Sequence, residues 1–227
     1  MSLESKRHTG LESEGEVVVE KVTAFWDRFG RVILGVLAAI VVIGAGVFFY
    51  LRSRAEQEQK AAGQLAEAAA LYWQGDYARS NELAKQVSTQ HGGTWGGIDA
   101  HRILGDNAFW TGDFKTAVAE YRRYVDQSPK GLLADAGRRS LAYALESDGQ
   151  FAEAAKTFEE LVGRFDRSSS AEFLAAAARC LQSAGQPAEA LARLRRLDAE
   201  FGETSYAPLA RVKIAELEAA TGATVQR

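Results

Sequence analysis

The sequence predicts an all-α chain in which helical hairpins stack into a solenoid attached to a single transmembrane helix. Three observations predict it. Val32 to Leu51 is a run of twenty residues without a charge, and a helix rising ~1.5 Å per residue over that length crosses a bilayer once. Gly75, Gly112, Gly149 and Gly185 follow one another at intervals of 37, 37 and 36 residues, and a fixed period of that size marks an array of two-helix units. The chain has only three prolines and is rich in Ala, Leu, Glu and Arg, so little in it interrupts helix.

Residues 1–16 are polar and acid-rich, a composition that buries too little to fold alone and is expected to be disordered. Val18, Val22, Phe25, Trp26 and Phe29 then share one helical face. Residues 1–31 thus read as a tail ending in an amphipathic helix that lies at a membrane interface. The transmembrane helix, 32–51, is bracketed by Arg31 and by Arg52 and Arg54, with Phe48, Phe49 and Tyr50 at its second interface. A cleaved signal peptide would have a shorter apolar region and a small-residue cleavage site. Arg-Ser-Arg-Ala-Glu follows instead, so the span is expected to be retained as an anchor.

Lys21, Arg28 and Arg31 on one side balance Arg52, Arg54 and Lys60 on the other, so the positive-inside rule ties. A short N-terminal tail before a long C-terminal domain favours export of the C-terminus. Gly35 and Ala39 form a small-xxx-small pair suited to contact with another membrane helix. Residues 52–63 favour helix and are expected to carry it on from the span as one stiff linker, and 64–227 form the solenoid.

Within the solenoid the stretch from Thr111 to Pro129 shows the unit most clearly. Gly112 ends a first helix by accepting a left-handed φ, and Phe114, Ala117, Tyr121 and Tyr124 follow at helical spacing. Pro129 ends the second helix. Upstream, Leu104, Gly105 and Ala108 supply the first helix's apolar stripe, with Gly105 admitting a close neighbour.

These residues resemble tetratricopeptide repeats: Leu104-Gly105, Gly112, Phe114, Ala117, Tyr121 and Pro129 stand at that family's offsets. A third unit offers Leu141-Ala142, Leu145, Gly149, Phe151, Ala154, Phe158 and Leu161, and a fourth Ala178, Leu181, Gly185, Ala190, Leu194 and Leu197. The first unit, with Ala68, Leu71, Gly75, Tyr77 and Ala84, has Ser80 where alanine is usual. Pro208 to Ala220 reads as a capping helix, needed because a solenoid end is otherwise apolar. The surplus over the family's usual period lies in the loops between hairpins.

The whole layout, an acidic tail, one anchor and then the repeats, also resembles the ancillary subunit of the bacterial secretion translocon. That resemblance implies an inner-membrane scaffold with a periplasmic repeat domain, handing newly exported proteins to periplasmic chaperones. Two other scaffolds fit the same layout. One is an accessory structural subunit of a larger membrane complex, such as an energy-converting or photosynthetic assembly; the other serves envelope synthesis or cell division.

A formal net charge of −3 gives no reason to expect a polyanion, so nucleic acid is disfavoured as partner. Cys180 is alone and forms no internal disulfide; it reads as a small buried apolar residue. His8, His91 and His101 have no carboxylate or cysteine at metal-ligand spacing, and no hydrolase, zinc-protease or phosphate-loop motif occurs. Neither catalysis, nor a cofactor, nor a small-molecule substrate is expected. The partners are other proteins and the lipid bilayer.

In tetratricopeptide arrays the first helix of each hairpin lines a groove, and the family's offsets put Tyr72, Arg102, Asp106, Phe109, Arg139, Tyr143 and Arg179 there. The three arginines could hold a partner's carboxylate, although the Lys and Asn that clamp a terminal carboxylate elsewhere in the family are missing. The competing expectation is that they pair with their helical neighbours. Trp95, among four glycines, is either a loop anchor for a partner's pocket or a lid folded back over the first hairpin junction.

Overall fold

The structure, a computed structural model, describes residues 8–128 and 130–225. It is all-α among those residues, with helices α1 (His8–Trp73), α2 (Tyr77–Gln90), α3 (Trp95–Trp110), α4 (Phe114–Gln127), α5 (Leu132–Ser147), α6 (Phe151–Leu161), α7 (Arg167–Ser183), α8 (Pro187–Phe201) and α9 (Ala207–Val225). The chain divides into two compact units, Met1–Glu56 and Gln57–Arg227.

In the first unit, α1 begins at His8, inside the segment expected to be disordered through residue 16. The reason is cooperativity: once the apolar turns from Val17 onward are helical, each further residue adds one hydrogen bond without a new nucleation cost. Residues 1–7 of that expected tail lie outside the described residues. From Val17 to Leu51 the large apolar side chains of α1 stand exposed, Val42 at 71%, except Ile33, which is half-buried. Among the described residues α1 is the one helix long and apolar enough to cross a membrane, and none of its apolar stretch is buried. An unburied helix that is apolar on every face suits lipid better than the core of a water-soluble domain.

The second unit is a solenoid of helical hairpins. The last turns of α1 pair with α2, then α3 with α4, α5 with α6 and α7 with α8, and α9 closes the end. Each hairpin turns in the same way. Gly75, Gly112, Gly149 and Gly185 hold φ of 81°, 81°, 78° and 75°, the left-handed region that glycine enters without a Cβ penalty. The residue after each glycine donates its N–H five residues back, Asp76 to Leu71 O, Asp113 to Ala108 O, Gln150 to Leu145 O and Gln186 to Leu181 O, at 2.9–3.0 Å. This closes the helix with its last carbonyls satisfied. Asp76 and Asp113 cap α2 and α4 by accepting from Arg79 N and Thr116 N, while Pro187 opens α8 at the first turn, where a missing N–H costs nothing. Pro129, expected to stop α4, lies outside the described residues; α4 ends at Gln127.

Small residues let the helices approach closely. A Cβ on Gly105 would stand 2.7 Å from the Tyr121 ring, and one on Gly137 would stand 2.4 Å from the Tyr124 ring. Each glycine therefore seats an aromatic of the hairpin's second helix or of the helix before. The main core runs from Ala108 to Ala210 around the fully buried Leu145, Phe158, Leu161, Phe173, Leu174 and Leu197. A smaller cluster of Ala68, Ala84, Ile103 and Leu104 joins the first hairpin to the second. There Ser80, at the position where alanine is usual, is buried but satisfied: its hydroxyl donates to Ala68 O at 2.8 Å and accepts from Asn107 Nδ2 at 2.9 Å. The cap begins at Ala207 and runs to Val225, beyond the Pro208–Ala220 expected. Its Ala207 and Ala210 are buried, with Ile214 and Leu217 packed partly against the same core.

Candidate interaction surface of the repeat domain

The helices of the solenoid fall into two layers, fastened along each layer by side chains that reach the next hairpin. In the first-helix layer Arg179 of α7 grips Glu146 of α5 through Nε–Oε1 at 2.6 Å and Nη2–Oε2 at 2.8 Å, and the Tyr143 hydroxyl donates to Glu172. In the second-helix layer Arg122 of α4 pairs with Glu153 of α6 at 2.7 Å and Arg193 of α8 with Glu159 of α6.

The residues expected to line the groove do lie on the first-helix layer, but most of their polar groups are already engaged. Arg102 is held on three sides, by Asp99 at 2.8 and 2.9 Å and by Asp106 at 3.0 Å. Burial alone would lower its guanidinium pKa, but the Asp99 hydrogen bonds and the two aspartate charges outweigh that and raise it. Asp106 also accepts from the Tyr121 hydroxyl at 2.7 Å. Its carboxyl is pushed up from the ordinary value, because burial outweighs the help of Tyr121 and Arg102. Burial and then Asp106 push the Tyr121 and Tyr72 hydroxyls up as well. Burial, with Glu172, does the same to Tyr143.

Arg179 is held charged by Glu146. Phe109 stands edge-on to Phe114 at 5.4 Å. Arg139 differs from the other two arginines: it is exposed, has no ion pair among the described residues, and lies 5.8 Å over the Phe165 ring. The three arginines therefore do not form one carboxylate site; two are occupied by carboxylates of this chain, through residues Asp99 and Glu146 that sequence offsets did not single out.

Trp95 opens α3. Its backbone N–H donates to Glu58 Oε2 at 3.0 Å while the side chain is 59% exposed, so the indole is not folded back as a lid. Gly35 and Ala39 both lie on the unburied part of α1, and among the described residues nothing beyond Gly35's own neighbouring helical backbone comes within 4 Å of where its Cβ would be. Cys180 is buried, and burial followed by Glu146 pushes its thiol up to about 12, so it stays a protonated packing residue. Among the described residues no cluster of three or more His, Cys, Asp or Glu is placed to hold a metal ion; His101 instead bonds Glu120 at 2.7 Å.

One feature of the surface had a sequence signal that generic repeat offsets hide. Trp73 is 82% exposed and Trp110 is 63% exposed. They occupy the same place in successive hairpins, in the matching stretches Trp73-Gln-Gly-Asp-Tyr77 and Trp110-Thr-Gly-Asp-Phe114.

Residues 23–164 match the family described as a tetratricopeptide repeat-like domain, more than half of the chain, and residues 145–212 match a tetratricopeptide repeat. No curated protein matches the chain. Among solved structures, the fold is similar to a candidate kinesin light chain of Podosopora anserina with nearly identical TPR-like repeats, at 19% identity and a TM-score of 0.57 over 74% of this chain and 90% of that one. It is also similar to MamA of AMB-1, at 21% identity and a TM-score of 0.52 over 66% of this chain and 76% of that one. MamA of MSR-1 gives 20% and 0.50 over 60% and 74%. At such identities the likeness is one of fold.

Proposed function

The chain belongs to the tetratricopeptide repeat-like family, and from that premise we propose that it is a membrane-anchored protein–protein interaction scaffold, in its most specific form a translocon-associated adaptor for exported proteins and periplasmic chaperones. The observation that carries the scaffold reading is the two-layered hairpin solenoid itself, a fold whose extended faces bind by complementarity of surface rather than by reactive groups. The unburied apolar stretch of α1 supports the anchor. The anchor reading makes Val32 to Leu51 the single span, with the repeat domain in the periplasm of a bacterial inner membrane. Gly35 and Ala39 then face another membrane helix.

A second reading, an accessory structural subunit of a larger membrane complex, is favoured by the internally neutralised Arg102 and Arg179. Such a surface is better suited to a fixed neighbour than to clamping the carboxylates of changing clients. Affinity purification of the tagged full chain in mild detergent separates the two. Translocon components with substoichiometric exported proteins support the adaptor; stoichiometric recovery in one stable assembly supports the subunit; recovery of the chain alone defeats both. A reporter that is active only after export, fused at the C-terminus, tests the orientation, and activity confined to the cytoplasmic side reverses it.

A further inference from the structure

We propose that the turn edge of the first two hairpins docks an extended basic segment of a partner protein, with Trp73 and Trp110 each stacking on a cationic side chain. The inference deepens the scaffold reading above and rests on it. The repeats supply their own control. All four hairpins turn through a left-handed glycine, yet the third and fourth have Ser147 and Ser183 where the first two have tryptophan, and Gln150 and Gln186 where the first two have aspartate. The turn therefore requires no indole, whereas the two aspartates also serve as the caps of α2 and α4. Leaving Trp73 82% and Trp110 63% exposed has no benefit for the fold, since an exposed indole gives up the burial that makes aromatics stabilising.

The Trp73 indole is held in place: the Tyr72 ring stands edge-on to it at 5.1 Å and is itself tilted to Tyr77 at 5.7 Å. A ring face fixed in this way binds with little ordering cost.

The aromatic faces of the edge select the partner, and an available carboxylate supports them. Asp113 is exposed and has no ion pair within 4.0 Å among the described residues, with the exposed Lys115 two residues on, and Asp76 pairs with the exposed Arg79, at 3.6 Å. Between the two turns lies a cavity of about 240 Å³ whose wall includes Tyr77, Asn107, Thr111 and Asp113. The Asn107 amide is oriented by Ser80: because the Ser80 hydroxyl donates to Ala68 O, it can only accept from Asn107 Nδ2, which leaves the buried Asn107 Oδ1 as an acceptor without a partner. Carboxylates and aromatic faces complement a donor-rich cation, arginine best, through ion pairing and cation–π contact. Neighbouring helices pack roughly 8–10 Å apart, close to the ~9 Å that three residues span in an extended polyproline-like segment. The matching motif is thus two arginines three residues apart.

The experiment uses the full chain in phosphatidylcholine nanodiscs and a fluorescein-labelled Ala-Arg-Ala-Ala-Arg-Ala peptide, with the Arg→Glu peptide as control. We expect salt-sensitive binding of the arginine peptide only. Trp73→Ala and Trp110→Ala should each weaken it about 2- to 5-fold, and Asp113→Asn, which keeps the cap, should flatten the salt dependence. Trp→Phe at both positions should retain part of the affinity. Equal binding of both peptides, or unchanged binding by the double alanine variant with its melting curve intact, overturns the proposal. So does quenching by brominated lipid in the discs of a Trp26→Phe, Trp95→Phe chain, whose remaining indoles are Trp73 and Trp110, which would assign the edge to the bilayer. If the double variant still recovers the wild-type partners from detergent extracts, the edge is not the docking site while the scaffold stands; if the wild type recovers none, the scaffold reading itself fails.

Discussion

Gly105 and Asp106 sit side by side on α3 and make opposite demands on their surroundings. Gly105 exists for a ring: with Tyr121 carbons 2.7 Å from where a Cβ would be, Gly105→Ala must push the ring or the helix aside. We predict a loss of about 1–3 kcal/mol, read as a lower urea midpoint. Gly63→Ala on α1, with nothing within 4 Å, should instead be neutral or stabilising by about 0.5–1 kcal/mol. Asp106 carries a titration. Its folded pKa is raised above the ordinary 3.8 by burial, so the stability it contributes is fully present below 3.8 and is lost as pH rises through its folded value. Asp106→Asn keeps an acceptor for Tyr121 and Arg102 but does not titrate. The stability of the wild type relative to this variant should therefore fall as pH rises from about 3 towards neutrality, and a flat difference would show that Asp106 is not strained by burial. The packing role of Gly105 was legible in the sequence, because the repeat requires a small residue there. The capture of Arg102 by Asp99 and Asp106 was legible only in part: residues three and four apart on a helix meet, but the side chain could equally have faced a partner. The Arg179–Glu146 bond was not legible, since it joins residues 33 apart through the pitch of the solenoid.

Among the elements, the four turns and the hairpins they close follow directly from the glycine period, because only glycine enters the left-handed region without strain. Helix ends were less legible. The start of α1 depends on propagation from downstream turns, and the extent of α9 depends on the core it covers. α9 also makes the sharpest prediction at this scale. Its Ala207 and Ala210 are buried against the core that holds Leu194, Leu197 and Phe201. Ending the chain at residue 206 would leave that face open, and a solenoid without its cap loses solubility. We predict that the truncated chain aggregates or melts at lower temperature than the full chain, with the loss spreading from the α7–α8 hairpin. Hydrogen exchange should show α7 and α8 deprotected first, with α3 and α4 less affected, because each repeat leans mainly on its neighbours. Uniform loss across the solenoid would mean instead that the hairpins form one cooperative block.

At the scale of the whole chain, two units with opposite solvent preferences share one polypeptide. Residues 57–227 bury a main core and smaller clusters beside it, whereas Val17 to Leu51 expose all their large apolar side chains but Ile33. Such a surface is stable only under lipid or under another protein's apolar face. If the proposed anchor is correct, the full chain should remain in the membrane pellet after alkaline carbonate washing, and the chain shortened to 57–227 should move to the supernatant as a folded, helical protein. Replacing both Ile40 and Val41 by Asp should weaken insertion, since each acidic residue near the centre of a span costs roughly 2.5–3.5 kcal/mol. The paired result is informative in either direction. A full chain that washes off would mean that the apolar stretch is covered by a partner protein and not by lipid, and the two aspartates should then abolish recovery of that partner without changing the membrane fraction.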